Sequence, residues 1–257
     1  MNTGCELKAA LDWKLDDAVA EVLSVCPRLS DSLPGNAAIA LRHYSNAEQP
    51  QLLETRNAWY ESVARGQPDY GIYHSEAMIA EMIACYLICS KEYVKRFKSL
   101  LWRLRISSVC DLGCGVGLSC IALRQESDVD KVTGTQLPGT LQFDIAKALG
   151  EKHRFDVQPE PTKADLVFAS EYFEHFERPL DHLHHVLDLA RPKYLVVANA
   201  FGACSIGHFN SYRFGNRTVS NKAIGRAFNK ALRQSGYSAI TTKFWNQRPT
   251  VWEANSI

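Results

Sequence analysis

The first hundred residues carry apolar side chains at the spacing of an α-helix. Over Leu7–Leu23 the apolar positions return every three or four residues, which predicts a helix there. A proline and a glycine predict a turn over Leu29–Gly35. Further helices are predicted at Ala37–Tyr44, at Gln51–Ala64 and from about Ser75 to Arg105, with a loop at Gly66–Tyr73. We therefore expect residues 1–104 to form a helical extension or cap.

From Ile106 onward, short apolar runs alternate with helical patterns. Strands are predicted at Ser108–Leu112, Lys131–Gln136, Asp165–Ala169, Tyr194–Ala198, Ala239–Trp245 and Pro249–Glu253, and the third strand of the sheet is expected to precede a region near Asp156–Gln158. Helices are predicted at Leu118–Gln125, Thr140–Leu149, Pro179–Ala190 and Asn221–Ser235. This alternation predicts an α/β domain over residues 105–257, with a mainly parallel seven-stranded sheet and helices on both faces. A closing hairpin would insert an antiparallel strand.

The composition indicates a folded protein that stays out of the membrane. Of 257 residues, 46% are hydrophobic, which is enough to fill a core. No apolar run reaches the ~18 residues that a bilayer span requires, and Met1–Ala10 lacks the apolar segment of a signal peptide. We expect a soluble, cytoplasmic protein with no membrane partner. The eight cysteines form no CxxC pair, so buried reduced thiols are favoured over disulfides or a zinc site.

Charge is balanced overall but unevenly distributed. The net charge is +1, yet the last 57 residues contain eight bases and one acid. A basic region of this kind can steer an anionic substrate towards its site. Solvated helix and strand faces explain the same pattern equally well.

The clearest chemical motif is a glycine-rich loop where a buried strand should end. The segment Val109–Gly117 reads Val-Cys-Asp-Leu-Gly-Cys-Gly-Val-Gly. Glycines at such a turn let the backbone approach a ligand closely, and the helix that follows offers free N–H groups. The third glycine comes one residue earlier than in the GxGxxG pattern of dinucleotide-binding proteins.

This D-x-G-x-G-x-G pattern resembles motif I of class I methyltransferases that use S-adenosylmethionine (SAM). The resemblance extends over about residues 106–257 and implies a Rossmann-like fold that binds SAM. It assigns cofactor contacts to a set within and just beyond the loop: Asp111, Gly113, Cys114, Gly115, Gly117 and Gln136. In the family, an acidic residue at the end of the second strand binds the ribose hydroxyls. Here Gln136 stands in that place, and an amide can still bond a hydroxyl, although without charge assistance.

A second motif follows the fourth predicted strand. The order Glu171-Tyr172-Phe173-Glu174-His175 is similar to the E-x-x-E-H motif of ubiquinone-biosynthesis and small-RNA 2′-O-methyltransferases, which bind a metal. If the segment is helical, Glu171, Glu174 and His175 share a face. With His208 as a candidate fourth ligand, the set suits Mg²⁺ or Mn²⁺, and Zn²⁺ less well. A metal-free polar site and a structural role are the alternatives.

The predicted chemistry is methyl transfer to a hydroxyl oxygen. A bound metal would lower the pKa of the acceptor hydroxyl, or His175 or His208 would take the proton directly. Glu174 completes the candidate catalytic set. The acceptor is expected to be a small or anionic molecule, with an RNA end as a further option, and the oligomeric state is left open.

Two other classes compete with this interpretation. A SAM-binding regulator that transfers no methyl group would share the fold, and Gln136 keeps this alternative open. An NAD-dependent oxidoreductase is disfavoured by the glycine spacing and by the missing acid at the ribose position.

Overall fold

A computed structural model describes residues 14–44, 50–126, 129–241 and 249–255. Its main sheet has seven strands in the order β3-β2-β1-β4-β5-β9-β8. These strands are β1 (Ser108–Asp111), β2 (Lys131–Thr135), β3 (Asp156–Gln158), β4 (Leu166–Ser170), β5 (Tyr194–Ala198), β8 (Tyr237–Ile240) and β9 (Thr250–Ala254). The first five pair in parallel, whereas β9 is antiparallel to both β5 and β8. The predicted mainly parallel sheet with an inserted antiparallel strand is confirmed.

Helices occupy both faces of this sheet and the N-terminal part of the chain. They are α1 (Leu15–Val25), α2 (Leu33–Tyr44), α3 (Pro50–Ala64), α4 (Glu76–Cys85), α5 (Lys91–Arg103), α6 (Leu118–Glu126), α7 (Leu141–His153), α8 (Pro179–Ala190) and α9 (Asn221–Gln234). Hydroxyl side chains cap three of the N-termini by accepting a backbone N–H, at Ser75, Thr140 and Ser220. In the part of the chain that the structure describes, no helix is long and apolar enough to cross a bilayer.

Successive side chains of each strand point to opposite faces of the sheet, and this divides the core into two layers. In β1, Val109 packs on one side with α6 and α7, and Cys110 packs on the other side with α8 and α9. The first layer also contains α1, α2, α4 and α5, so these N-terminal helices share one apolar core with the sheet. The division at residue 104 therefore stays a prediction, because the packing is continuous across it.

Four local predictions need correction. The turn expected over Leu29–Gly35 ends earlier, because α2 already begins at Leu33. Pro34 fits there, since the first helical turn does not need its N–H. The helix expected from Ser75 to Arg105 is divided into α4 and α5 by a π-helical turn at Tyr86–Ser90. The predicted loop at Gly66–Tyr73 ends in a 3₁₀ turn, Tyr70–His74. The strand expected at Ala239–Trp245 is observed two residues earlier, as β8.

Some predictions fall outside the described residues, among them the part of the first helix from Leu7 to Trp13 and the end of the predicted strand at Trp245. The structure also contains a hairpin that the pattern analysis did not predict. Strands β6 (Ser211–Phe214) and β7 (Arg217–Ser220) form a separate two-stranded sheet between β5 and α9. The seven cysteines of the described ranges are free, four of them buried.

Candidate active site

A large cavity opens at the carboxyl ends of β1, β2 and β4. Its volume is about 1420 Å³. The walls are the glycine loop, the segment after β4, residues 203–208 after β5, and part of the N-terminal region between Tyr70 and Ser90. Pockets for single small ligands usually measure about 300–1,000 Å³. This cavity is therefore large enough for a nucleoside cofactor and an acceptor together.

The glycine loop has the backbone shape that the sequence predicts for a ligand cradle. Gly113, Gly115 and Gly117 all have positive φ angles, of 61°, 59° and 93°. A Cβ on Gly113 would lie 2.5 Å from the Tyr172 ring, so a side chain is excluded there by space as well as by conformation. Gly113 and Cys114 are fixed to the end of β2, because their N–H groups donate to the hydroxyl and carbonyl oxygens of Thr135, each at 3.0 Å.

The three glycines have different surroundings. Gly113 and Gly115 line the cavity, together with Cys114. Gly117 instead packs against Phe155, whose ring would lie 2.9 Å from an added Cβ. Gly117 therefore allows the loop to pass close to its neighbour, which is the role expected of the third glycine in such motifs.

Asp111 lies beneath this loop as a buried acid. Its Oδ2 accepts from Ser119 Oγ at 2.5 Å and from Cys120 Sγ at 3.4 Å. Burial raises the pKa of Asp111 to about 7, although the two hydrogen bonds act in the opposite direction. The carboxyl group connects the end of β1 to α6 and also borders the cavity.

Gln136 lies at the end of β2, as the sequence predicts, and faces the cavity. Its Nε2 donates to the carbonyl of Gly115 at 3.1 Å, and its Oε1 accepts from Leu137 N at 2.8 Å. The amide therefore supports the glycine loop directly. A carboxylate in this place would have no hydrogen to donate to the Gly115 carbonyl.

The segment after β4 is not a helix. Only Phe173–His175 forms a 3₁₀ turn, and Glu171 has a positive φ of 53°. Glu171 borders the cavity, whereas Glu174 is fully buried behind its wall and its Oε1 accepts from Ala200 N at 2.6 Å. The condition under which Glu171, Glu174 and His175 would share a helical face is therefore not met, because the turn is too short and begins after Glu171.

The structure brings the two predicted histidines together. The rings of His175 and His208 meet edge to face with centroids 4.7 Å apart, and both line the cavity. His208 Nδ1 lies 3.1 Å from the carbonyl oxygen of Ala203. His175 Nδ1 lies 3.1 Å from the hydroxyl of Tyr73. Burial, together with the neighbouring His208, lowers the pKa of His175 to about 3, so its ring is neutral at physiological pH.

The proposed metal ligands do not form a ready cation site. Within the described ranges, no group of three or more His, Cys, Asp or Glu side chains is arranged to hold a metal ion. Glu174 Oε1 is directed at a backbone N–H, and His208 Nδ1 lies against the Ala203 carbonyl. The His175 ring is hydrogen-bonded to the Tyr73 hydroxyl and to the backbone of Gly207 and Glu171. The metal assignment therefore stays a prediction, and no chemical step below depends on it.

Tyr172 and His182 contribute to the site although the sequence motifs do not predict them there. Tyr172 lies against the glycine loop and its hydroxyl is 2.7 Å from His182 Nε2, while the His182 ring stacks on Phe176 at 3.7 Å. His182 belongs to α8, where burial lowers its pKa to about 4, and its side chain borders the cavity. Tyr73 comes from the N-terminal region, where its aromatic neighbours suggest either a lid or ordinary packing.

The sheet order and the glycine-loop cavity define a Rossmann-like methyltransferase fold. The sequence matches a family model described as a methyltransferase domain over residues 87–242. The chain belongs to this family and is a SAM-dependent methyltransferase. The match begins at residue 87, in the π-helical turn between α4 and α5, so the family domain includes part of the predicted N-terminal cap.

Solved structures share the fold at low sequence identity. An O-methyltransferase family protein from Burkholderia thailandensis is 14% identical, with a TM-score of 0.52 over 93% of this chain and 73% of that one. Mitomycin 7-O-methyltransferase MmcR is also 14% identical, with a TM-score of 0.51 over 96% and 74%. No curated protein matches the sequence at a significant level. At this identity the likeness shows the fold alone.

Proposed function

We propose that the protein methylates a hydroxyl oxygen and that His208 accepts the proton of that hydroxyl. The observation that carries the proposal is the contact of His208 Nδ1 with the Ala203 carbonyl, at 3.1 Å. A carbonyl only accepts hydrogen bonds, so Nδ1 carries the hydrogen and Nε2 holds the lone pair of the neutral ring. A side chain with this tautomer on the cavity wall is suited to general base catalysis.

The residues of the cavity fit SAM on physical grounds. Gly113 and Gly115 contribute only backbone atoms to the cavity wall, where loop N–H groups can bind a charged methionine group. Gln136 uses one amide hydrogen on Gly115 and has a second for a ribose hydroxyl. When bound, SAM supplies an electrophilic methyl group. The protein's part is to orient the acceptor oxygen, exclude water and remove the proton.

The acceptor is proposed to be a small molecule that carries negative charge, and an RNA end is the wider alternative. Support comes from the hairpin β6–β7, where Arg213 and Arg217 are exposed beside Phe214. Arg213 Nε donates to Glu177 Oε1 at 3.2 Å, and Glu177 borders the cavity. The hairpin thus reaches the cavity rim, where Glu177 balances the charge of Arg213, and the proposed attraction for an anion rests on the exposed Arg217 beside it.

A divalent cation on Glu171, Glu174, His175 and His208 is a separate hypothesis that we propose to test by chelation. Turnover should survive removal of divalent cations if His208 acts alone as the base. Loss of turnover in EDTA, with recovery on adding Mg²⁺ or Mn²⁺, would favour the metal instead.

The proposal is tested by replacing His208 with glutamine. His208→Gln should lower turnover by about 100-fold or more, because general base catalysis contributes about 10²–10⁴-fold. SAM affinity, measured by calorimetry, should change less than twofold. Turnover is followed as release of S-adenosylhomocysteine with pools of hydroxylated acceptors. The matched control is His184→Gln, which removes an exposed histidine of α8 that does not border the cavity.

Each outcome separates the functional classes. Unchanged turnover in His208→Gln would remove His208 as the base. SAM binding without S-adenosylhomocysteine release, across catechol-type, phosphorylated and RNA acceptors, would instead favour a SAM-binding regulator.

A further inference from the structure

Three aromatic side chains of the N-terminal region contact the segments that carry the two histidines. Trp59 Nε1 donates to the carbonyl of His208 at 2.6 Å, and the Tyr60 hydroxyl donates to the carbonyl of Ser205 at 3.3 Å. The Tyr73 hydroxyl lies 3.1 Å from His175 Nδ1. Each contact joins residues more than a hundred positions apart. The N-terminal region therefore touches the segments of both histidines, in addition to covering the cavity.

The surrounding packing holds these aromatic groups in place. Trp59 is fully buried and meets Phe209 edge to face at 5.5 Å. It also contacts Tyr70, which stacks on Tyr73 with ring planes 16° apart. Rings that are packed on several sides lose little further freedom when they hydrogen-bond, so they are effective positioning groups.

The backbone opposite Tyr73 is shaped for this contact. Gly207 has a φ of 82°, and a Cβ there would lie 2.6 Å from both the Tyr73 hydroxyl and His175 Nδ1. A side chain at Gly207 would therefore separate the two groups. The glycine lets Tyr73, His175 and the segment of His208 meet at one point.

We propose that Tyr73 is a positioning residue that donates its hydroxyl hydrogen to His175 Nδ1 and so fixes the tautomer and orientation of that ring. A ring whose Nδ1 accepts carries its hydrogen on Nε2, and it therefore does not compete with His208 for the proton of the acceptor. The fixed His175 ring then forms the wall against which the His208 ring is held, edge to face. This inference rests on the proposed function, in which His208 is the base.

The first test measures the tautomer of His175 and does not require turnover. In ¹⁵N-labelled protein, the imidazole nitrogen shifts should show His175 with hydrogen on Nε2, and His175→Gln identifies its signals. Tyr73→Phe keeps the ring but removes the donor, so the His175 Nδ1 shift should move towards that of an unbonded nitrogen. A His175 spectrum that is the same with and without the hydroxyl would overturn the proposal.

The second test measures kcat and the KM for SAM. Tyr73→Phe should lower kcat about threefold to tenfold, the loss expected for one hydrogen bond, and leave the KM for SAM unchanged. The control is Tyr237→Phe, which removes a hydroxyl that donates to Pro192 O at 2.7 Å at the start of β8, outside the cavity lining. This control should lose a comparable amount of stability with unchanged kcat. Equal kcat in Tyr73→Phe and wild type would refute positioning.

The two tests separate the two proposals. If the wild type releases no S-adenosylhomocysteine with any acceptor, the proposed function fails, and the nitrogen shifts alone still decide the role of Tyr73. If turnover depends on His208 but Tyr73→Phe leaves the tautomer of His175 unchanged, only the inference about Tyr73 fails.

Discussion

Gly134, in the middle of β2, is a position where one methyl group should disturb the cofactor loop. A Cβ there would lie 2.6 Å from Cys114 Sγ, 2.9 Å from Cys120 Sγ and 3.0 Å from Cys114 Cβ. Its φ angle is not positive, so the obstacle to a side chain is space alone. We expect Gly134→Ala to push Cys114, and with it the glycine loop, out of place.

The magnitude follows from the cost of overpacking a dense core, about 1–3 kcal/mol. For a chain of this size, each kcal/mol shifts Tm by about 2–4 °C, so Tm should fall by about 2–12 °C. SAM affinity should fall about tenfold, because the displaced residue belongs to the loop. The measurements are thermal unfolding and calorimetric titration with SAM.

Two further variants make the result specific. Gly35→Ala is the control, since nothing lies within 4 Å of its added Cβ in α2, and it should keep or raise Tm. Introducing Gly134→Ala into a Cys114→Ala, Cys120→Ala background should cost less than half as much, because both sulfur atoms are gone. An equal loss in both backgrounds would show that space around the sulfurs is not the limiting factor.

The remaining predictions concern two of the buried acids, Asp111 and Glu174. The native pKa of Asp111, about 7, exceeds its ordinary value of 3.8, so the native state binds a proton more tightly than the unfolded state. Stability from this group should therefore be complete below about pH 4 and be lost as pH rises towards 7, by about 1.4 kcal/mol per pH unit. Urea unfolding of wild type and Asp111→Asn should show this slope as their difference, and a flat difference from pH 4 to 8 would contradict it. Glu174→Ala should lower Tm by about 2–12 °C, because leaving the buried Ala200 N–H without its acceptor costs about 1–3 kcal/mol. Glu174→Gln keeps an acceptor for Ala200 N and should lose less than half of that; equal losses would show that this bond is not the cause.

Local patterns were sufficient to predict the sheet and the cofactor loop. Buried parallel strands read as short apolar runs, and the glycine spacing after β1 is a local signal. Gln136 was also placed correctly, since the end of β2 follows from the same run. Its hydrogen bond to the Gly115 carbonyl was not predictable, because it joins two different loops that are 21 positions apart in the sequence.

The segment after β4 shows where a local pattern fails. Spacing alone suggested a helix over Glu171–His175. In the structure Glu171 N donates to Ala198 O, at the end of the neighbouring strand, and this non-local bond accompanies a left-handed backbone. A bond between two strand ends has no signature in a stretch of five residues.

Two other features do have a signal in the sequence. Phe214-Gly215-Asn216-Arg217 has a two-residue Gly-Asn turn between short runs, which is a hairpin signal. Gly134 within an apolar strand indicates close approach of another chain segment. The contact of Trp59 with His208 spans 149 positions, and a single sequence gives no means of finding it.

The place of β9 has a consequence for how the molecule is assembled. It follows every other strand of the described chain, yet it lies between β5 and β8. During synthesis, β5 keeps a bare edge and β8 lacks its neighbour until Thr250–Ala254 have emerged. A chain interrupted before Thr250 would therefore expose the unpaired edge of β5, and such an edge promotes aggregation. We expect such a chain to be degraded and not to persist as an enzyme of lower activity.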